Sequence, residues 1–66
     1  MIIDYIHDDR EVLKIALEEM NTELTFGSAH LIEDGAKLRV TISKKVDQEI
    51  IIKIARKHAL LFCFLT

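Results

Sequence analysis

The chain has 66 residues, half of them apolar, with no proline, two glycines and one cysteine. This length predicts one small domain over residues 1–66, and a lone core of this size seldom supplies more than about 3–5 kcal/mol of net stability. A single cysteine excludes a disulfide within the chain, so we expect further stabilisation from a second copy of the chain. The sequence shows no secretory signal and no apolar run near the ~20 residues of a membrane span. We therefore expect a soluble, cytoplasmic protein without membrane contact.

The net charge of −2 conceals an asymmetry between the two halves of the chain. Residues 1–34 carry nine acidic and two basic side chains, a net charge of −7, whereas residues 35–66 carry seven basic and two acidic ones, a net charge of +5. This division is typical either of a charged binding surface or of two halves that attract each other within the fold or across a dimer. Bulk charge predicts partners weakly, so we prefer self-complementarity.

The first 24 residues predict a strand followed by a helix. Residues 1–6, MIIDYI, are β-branched and aromatic and favour a strand. Residues 8–24 repeat apolar side chains at spacings of three and four, as one face of a helix requires. Asp8 followed by Glu11 has capping-box spacing and indicates Asp8 as the N-cap. The expected inner face of this helix consists of Val12, Leu13, Ala16, Leu17, Met20 and Leu24.

Residues 25–43 predict a β-hairpin that turns at Asp34-Gly35. This dipeptide supplies the positive φ angles of a type I′ turn. A two-residue loop there pairs apolar with apolar residues on one face and mostly polar with polar residues on the other, which supports the register. The first set comprises Leu31–Leu38, Ala29–Val40 and Gly27–Ile42, and the second comprises Ile32–Lys37, His30–Arg39, Ser28–Thr41 and Phe26–Ser43.

The last third predicts a second helix and a final short strand. Asp47 has the chemistry of an N-cap for a helix that runs to about His58. Residues 60–66, LLFCFLT, are short and aromatic-rich and favour a strand, with a continuation of the helix as the alternative. The expected inner stripe of the helix consists of Ile50, Ile51, Ile54, Ala55 and His58.

The resulting order, β-α-β-β-α-β, is that of an α+β ferredoxin-like sandwich, an antiparallel sheet with both helices on one face. The first and third strands then lie in the middle, flanked by the fourth and the second. If the terminal segments are not strands, a helix–β-hairpin–helix remains.

The final segment is apolar on both of its faces. Either Phe62 with Phe64, or Leu61 with Cys63 and Leu65, must point away from the helices. Exposed apolar patches mark interfaces, and an apolar edge strand invites pairing. We therefore expect a homodimer or a protein partner at this surface. The predicted contact residues are Tyr5, Phe62, Phe64 and Leu65.

The stretch from residue 37 to residue 58, KLRVTISKKVDQEIIIKIARKH, resembles the strand and first helix of ribbon-helix-helix repressors. The resemblance covers about a third of the chain and implies that alternate strand residues enter the major groove. The family needs a second helix after the first, and only LLFCFLT remains here, so we prefer a strand paired within its own sheet. Phosphate contact without base recognition stays as the alternative function. The candidate residues are Lys37, Arg39, Lys44, Lys45, Arg56 and Lys57.

Catalytic, cofactor and metal sites are not indicated. Tyr5, His7 and Asp9 have acid–base chemistry, but nothing in the sequence fixes their geometry, and the aspartates suit helix capping better. The three histidines and Cys63 lack metal-ligand spacing. We therefore predict a non-enzymatic regulatory or assembly module without cofactor or metal. Regulators, inhibitors and assembly factors, including those of phages, are often single chains of this size.

Overall fold

The structure, a computed structural model, describes residues 1–63. It is a four-stranded antiparallel sheet with two helices, in the order β-α-β-β-α-β of the ferredoxin-like fold. The prediction of this fold is confirmed, and the helix–β-hairpin–helix alternative is wrong because both terminal segments contribute strands. The elements are β1 (Ile2–Ile6), α1 (Arg10–Glu23), β2 (Ser28–Ile32), β3 (Lys37–Thr41), α2 (Lys45–Lys57) and β4 (Leu61–Cys63).

The strand order in the sheet is β2-β3-β1-β4, so β3 and β1 are central and β2 and β4 are the edges. β3 is the strand of the stretch that resembles ribbon-helix-helix repressors. It pairs with β2 on one side and with β1 on the other. A strand hydrogen-bonded on both sides cannot form the two-stranded ribbon of a repressor dimer. The local resemblance to ribbon-helix-helix proteins therefore does not extend to the fold.

The hairpin between β2 and β3 has the predicted register, with Ala29 opposite Val40 and Leu31 opposite Leu38. Asp34 and Gly35 both have positive φ, and the Ala36 N–H donates to the Glu33 carbonyl at 3.1 Å. These are the features of a type I′ turn. Glu33 also adopts a positive φ of 51°, so the left-handed stretch is one residue longer than the sequence indicated.

Helix α1 begins one residue later than predicted, because its N-cap is Asp9 and not Asp8. The Asp9 carboxylate accepts a hydrogen bond from the Glu11 N–H at 3.0 Å. The predicted inner face is buried at its centre, where Leu13, Ala16 and Met20 are inaccessible to solvent. These side chains pack with Leu38, Val40 and Ile51 in the core between the helices and the sheet.

Asp47 does not cap α2, which corrects the prediction. The helix begins at Lys45, and its N-cap, Lys44, makes no side-chain capping hydrogen bond. Asp47 lies in the first turn, fully buried, and its carboxylate accepts the backbone N–H groups of residues 25–27 at 3.0, 2.7 and 2.8 Å. These hydrogen bonds hold the pKa of Asp47 below its ordinary value against the opposing effect of desolvation. We call this arrangement the Asp47 latch, because it fastens the segment between α1 and β2 to the start of α2.

Helix α2 ends at Lys57 with a Schellman motif. The Leu60 N–H donates to the Ala55 carbonyl at 2.9 Å, the Ala59 N–H donates to the Arg56 carbonyl at 3.2 Å, and Ala59 has a φ of 55°. The chain then reverses into β4, which pairs with β1. Continuation of the helix through residues 60–66 is therefore wrong for the described residues. Phe64 and Leu65 lie outside them.

Candidate interaction surface

The exposed apolar residues near β4 lie on both sides of the strand. Phe62 is opposite Tyr5 in the pairing with β1 and so shares its face, the face toward the helices. Leu61, opposite Ile6, is on the open face of the sheet. Leu61 is 62% and Phe62 52% exposed. Met1, Ile2 and Ile52 are also exposed, and we refer to Met1, Ile2, Ile52, Leu61 and Phe62 as the edge surface.

A trough runs between α2 and β4 beneath this surface. It consists of two adjoining cavities of about 520 and 450 Å³, both lined by Tyr5, Ile52 and Phe62. Among the residues that the structure describes, the one charged side chain in either lining is Arg56. The trough is thus apolar, and its chemistry suits aliphatic and aromatic side chains.

Two of the predicted contact residues, Phe62 and Tyr5, differ in their exposure to solvent. Phe62 lies at the surface, but Tyr5 is 4% exposed and belongs to the core. The ring centroids of Tyr5 and Phe62 are 6.0 Å apart in an edge-on arrangement, so Tyr5 supports Phe62 and offers little area of its own. Burial raises the pKa of the Tyr5 hydroxyl. The contact role of Phe64 and Leu65 stays a prediction.

Sequence reasoning missed three members of the edge surface, Met1, Ile2 and Ile52. Ile52 falls outside the inner stripe of α2, and this position is the signal that could have identified it as an exposed apolar residue. Ile2 belongs to a strand that is apolar on both faces, and its orientation follows only from the pairing with Thr41 of β3.

The opposite edge of the sheet is closed by a side chain. Asn21 of α1 donates its amide N–H to the Ala29 carbonyl and accepts the Ala29 N–H, both at 2.9 Å. The side chain thus occupies the backbone groups of Ala29, which another strand would use to pair with β2. Ser28 and His30, the exposed residues of β2, are polar.

The buried carboxylate of Asp4 lies at the centre of the sheet, opposite Arg39 of β3. Arg39 Nε is 2.9 Å from Asp4 Oδ1, and Arg39 Nη2 is 3.1 Å from Asp4 Oδ2, a bidentate pair. The guanidinium keeps the pKa of Asp4 below its ordinary value, although burial opposes this shift. Arg39 is therefore engaged within the fold and has less to offer a phosphate than its sequence position indicated.

The six basic residues predicted to contact nucleic acid do not form one surface. Lys37 lies 3.6 Å from Glu33, and Lys57 lies 3.0 Å from Glu19, which also contacts His58 at 3.1 Å. Lys37 and Arg39 extend from the sheet, whereas the other four belong to α2 and its N-cap. The two ends of α2 are roughly 18 Å apart at 1.5 Å per residue. The six residues therefore fall into three pairs, Lys37 with Arg39 on β3, Lys44 with Lys45 at the start of α2 and Arg56 with Lys57 at its end.

The residues considered for acid–base or metal chemistry serve local structure. Asp9 caps α1, and its own N–H donates to His7 Nδ1 at 2.9 Å. Within residues 1–63 no group of three or more potential ligands is positioned to hold a metal ion. Neither α1 nor α2 is long and apolar enough to cross a membrane.

Comparisons with protein-family models, with curated proteins and with solved structures find no match for this chain. The proposals on function therefore rest on the geometry and chemistry of its surfaces.

Proposed function

We propose that this protein is a non-enzymatic interaction module that forms a homodimer by pairing β4 with β4 of a second copy. The observation that carries the proposal is the exposed apolar character of β4 on both faces of the sheet, at Leu61 and at Phe62. An added strand places its own side chains alternately on both faces. Leu61 and Phe62 would each meet apolar side chains of the second copy.

The charge distribution supports a second copy as the partner. A two-fold interface buries the same surface on both copies, so any charge on that surface is removed from water twice. The edge surface contains no charged side chain, and Arg56 is the one charged side chain among the described residues that line the trough. The ammonium group of Met1 already donates a hydrogen bond to the Ile42 carbonyl at 2.9 Å. Self-association here therefore buries little unpaired charge.

Chain length and the Asn21 side chain also support this interface. A folded domain of 66 residues buries only about 60% of the surface that its unfolded chain exposes, less than a larger domain does, and burial of the edge surface would add to its stability. Because Asn21 occupies the backbone of β2, β4 is the edge at which a strand can add without displacing a side chain.

Sedimentation equilibrium over a range of protein concentrations tests the proposal. We expect the mass to rise from the 7.6 kDa of one chain toward twice that value. Leu61→Lys places a charge on the open face beside β4 and should return the protein to the monomer. Phe62→Ser should have the same effect from the other face.

Two exposed residues away from β4 provide matched controls. Ile15→Lys and Phe26→Ser alter side chains that are 49% and 58% exposed, and both variants should dimerise as the wild type does. A wild-type protein that stays monomeric at every concentration would show the homodimer to be wrong. Equal loss of dimer in the control variants would place the interface elsewhere.

A further inference from the structure

An exposed aromatic ring and two lysines form a second surface, which borders the edge surface at Met1. Phe26 lies between α1 and β2 and is 58% exposed. Lys44 Nζ lies over its ring, 6.0 Å from the centroid, and the exposed Lys45 follows. We call Phe26, Lys44 and Lys45 the Phe26 surface.

The backbone that carries the Phe26 ring is held on both sides. Its N–H donates to Asp47 Oδ2 at 2.7 Å, and its carbonyl accepts the Ser43 hydroxyl at 3.0 Å. The next residue, Gly27, also donates to Asp47, and a Cβ at Gly27 would collide with the Thr41 carbonyl oxygen. The Asp47 latch thus fixes the position of an aromatic side chain that lies largely in solvent.

The stability of the fold does not explain these three residues. An exposed phenylalanine contributes little hydrophobic stabilisation. Two lysines at the start of α2 face the positive end of the helix dipole, where cations are unfavourable. Neither lysine has a carboxylate partner among residues 1–63, in contrast to Lys37, Arg39 and Lys57.

We propose that the Phe26 surface binds single-stranded nucleic acid, with a base stacked on Phe26 and backbone phosphates at Lys44 and Lys45. Stacking on an aromatic ring combined with lysine–phosphate contacts is the chemistry by which single strands are bound without sequence preference. A protein partner fits less well, because lysine is depleted at protein interfaces. Two cations on a chain of net charge −2 give weak, salt-sensitive binding.

Fluorescence anisotropy with labelled oligo(dT) and oligo(rU), each of about 12 nucleotides, tests the proposal. We expect binding at about 50 mM salt that is clearly weaker at about 200 mM, and weaker binding to a duplex of the same length. Phe26→Ala should lower the affinity by about 5- to 150-fold, as loss of one stacked base requires. Phe26→Tyr should retain binding, and Lys44→Gln or Lys45→Gln should each reduce the salt slope by about one.

Ile15→Ala is the matched control, since Ile15 is a comparably exposed apolar residue on α1 that belongs neither to the edge surface nor to the Phe26 surface. It should bind the oligonucleotides and sediment as the wild type does. Circular dichroism should show that Phe26→Ala stays folded.

Absence of binding at about 50 mM salt would overturn the proposal. So would binding that is equal for duplex and single strand and unchanged in Phe26→Ala, because it would be a general charge effect. If Phe26→Ala reduces the sedimentation mass instead, the Phe26 surface is a protein contact and the assignment is wrong.

Discussion

At one edge of the sheet, Asn21 binds the N–H and carbonyl of Ala29 in β2, whereas at the other edge β4 exposes Leu61 and Phe62. Both edges belong to one antiparallel sheet and face the same risk of unwanted pairing. The Asn21 amide reproduces at Ala29 the hydrogen bonds that a neighbouring strand would make, so it opposes strand addition at β2. The difference leaves β4 as the edge that the proposed pairing would use.

The chain segments that lead into the edge strands β2 and β4 also differ. The segment leading into β2 is fastened by three hydrogen bonds to the buried Asp47 carboxylate. The segment leading into β4 is a helix terminus in which Ala59 occupies a left-handed conformation. The β2 edge is therefore held by side-chain hydrogen bonds from Asn21 and Asp47, whereas β4 is held by its pairing with β1 and by the backbone hydrogen bonds of the turn.

The largest expected effect is that of releasing the Asp47 latch. Asp47→Ala leaves three part-buried N–H groups without their acceptor and opens a gap beside the core. We expect the midpoint of thermal unfolding to fall by about 10 °C or more. Calorimetry measures it, with Glu49→Ala, an exposed acid on the same helix, as the control. A midpoint within about 2 °C of the wild type would show that the latch contributes little.

Acid should destabilise the protein by protonating the buried carboxylates of Asp47 and Asp4. The pKa values of Asp47 and Asp4 lie below the ordinary value of 3.8 in the folded state. The unfolded chain therefore takes up protons at a higher pH than the folded protein, so their contribution is complete above about pH 5 and is lost progressively as the pH falls below that value. Urea unfolding at a series of pH values measures this loss. Asp47→Asn should show a shallower decline in this pH range, and an unchanged slope would contradict the assignment.

The next largest effect is expected when the Asn21 side chain is removed from the edge of β2. Asn21→Ala removes both hydrogen bonds to Ala29 and should lower the free energy of unfolding by about 1–2 kcal/mol. It should also create a second site for strand addition, so that association persists when Leu61→Lys is introduced as well. Sedimentation of the double variant measures this directly. Asn21→Asp, which keeps the acceptor and loses the donor, should lie between Asn21→Ala and the wild type in stability. A strictly monomeric double variant would show that Asn21 does not protect the β2 edge.

The order of elements and the register of the hairpin could be predicted from the sequence because both depend on local patterns. Alternating apolar residues around Asp34-Gly35 determine which residues of β2 and β3 face each other. Spacings of three and four similarly identify the buried faces of the helices. The error at the start of α1 was one residue, between two adjacent aspartates that both suit a cap.

The contacts that sequence reasoning missed at Asp47 and Arg39 join residues far apart in sequence. Asp47 binds N–H groups 20 to 22 residues earlier, and Arg39 binds a carboxylate 35 residues earlier. Local chemistry favoured capping for Asp47 and phosphate contact for Arg39, and tertiary structure gave both another role. The sequence could not determine which face of β1 points toward the helices, because MIIDYI carries apolar side chains on both faces. Only the pairing of β1 with its neighbours places Tyr5 in the core.

The smallest expected effect concerns the turn into β4. Ala59 holds a positive φ at the C′ position of the Schellman motif, where glycine has no steric penalty. The left-handed conformation costs an alanine about 1–2 kcal/mol, and the greater freedom of glycine in the unfolded chain offsets about 0.4–1 kcal/mol. Ala59→Gly should therefore stabilise the protein by about 0.5–1 kcal/mol in urea unfolding. Ala36→Gly, in a turn position without positive φ, should destabilise or have no effect. The sedimentation mass of Ala59→Gly should equal that of the wild type, because the substitution changes no side chain of the edge surface.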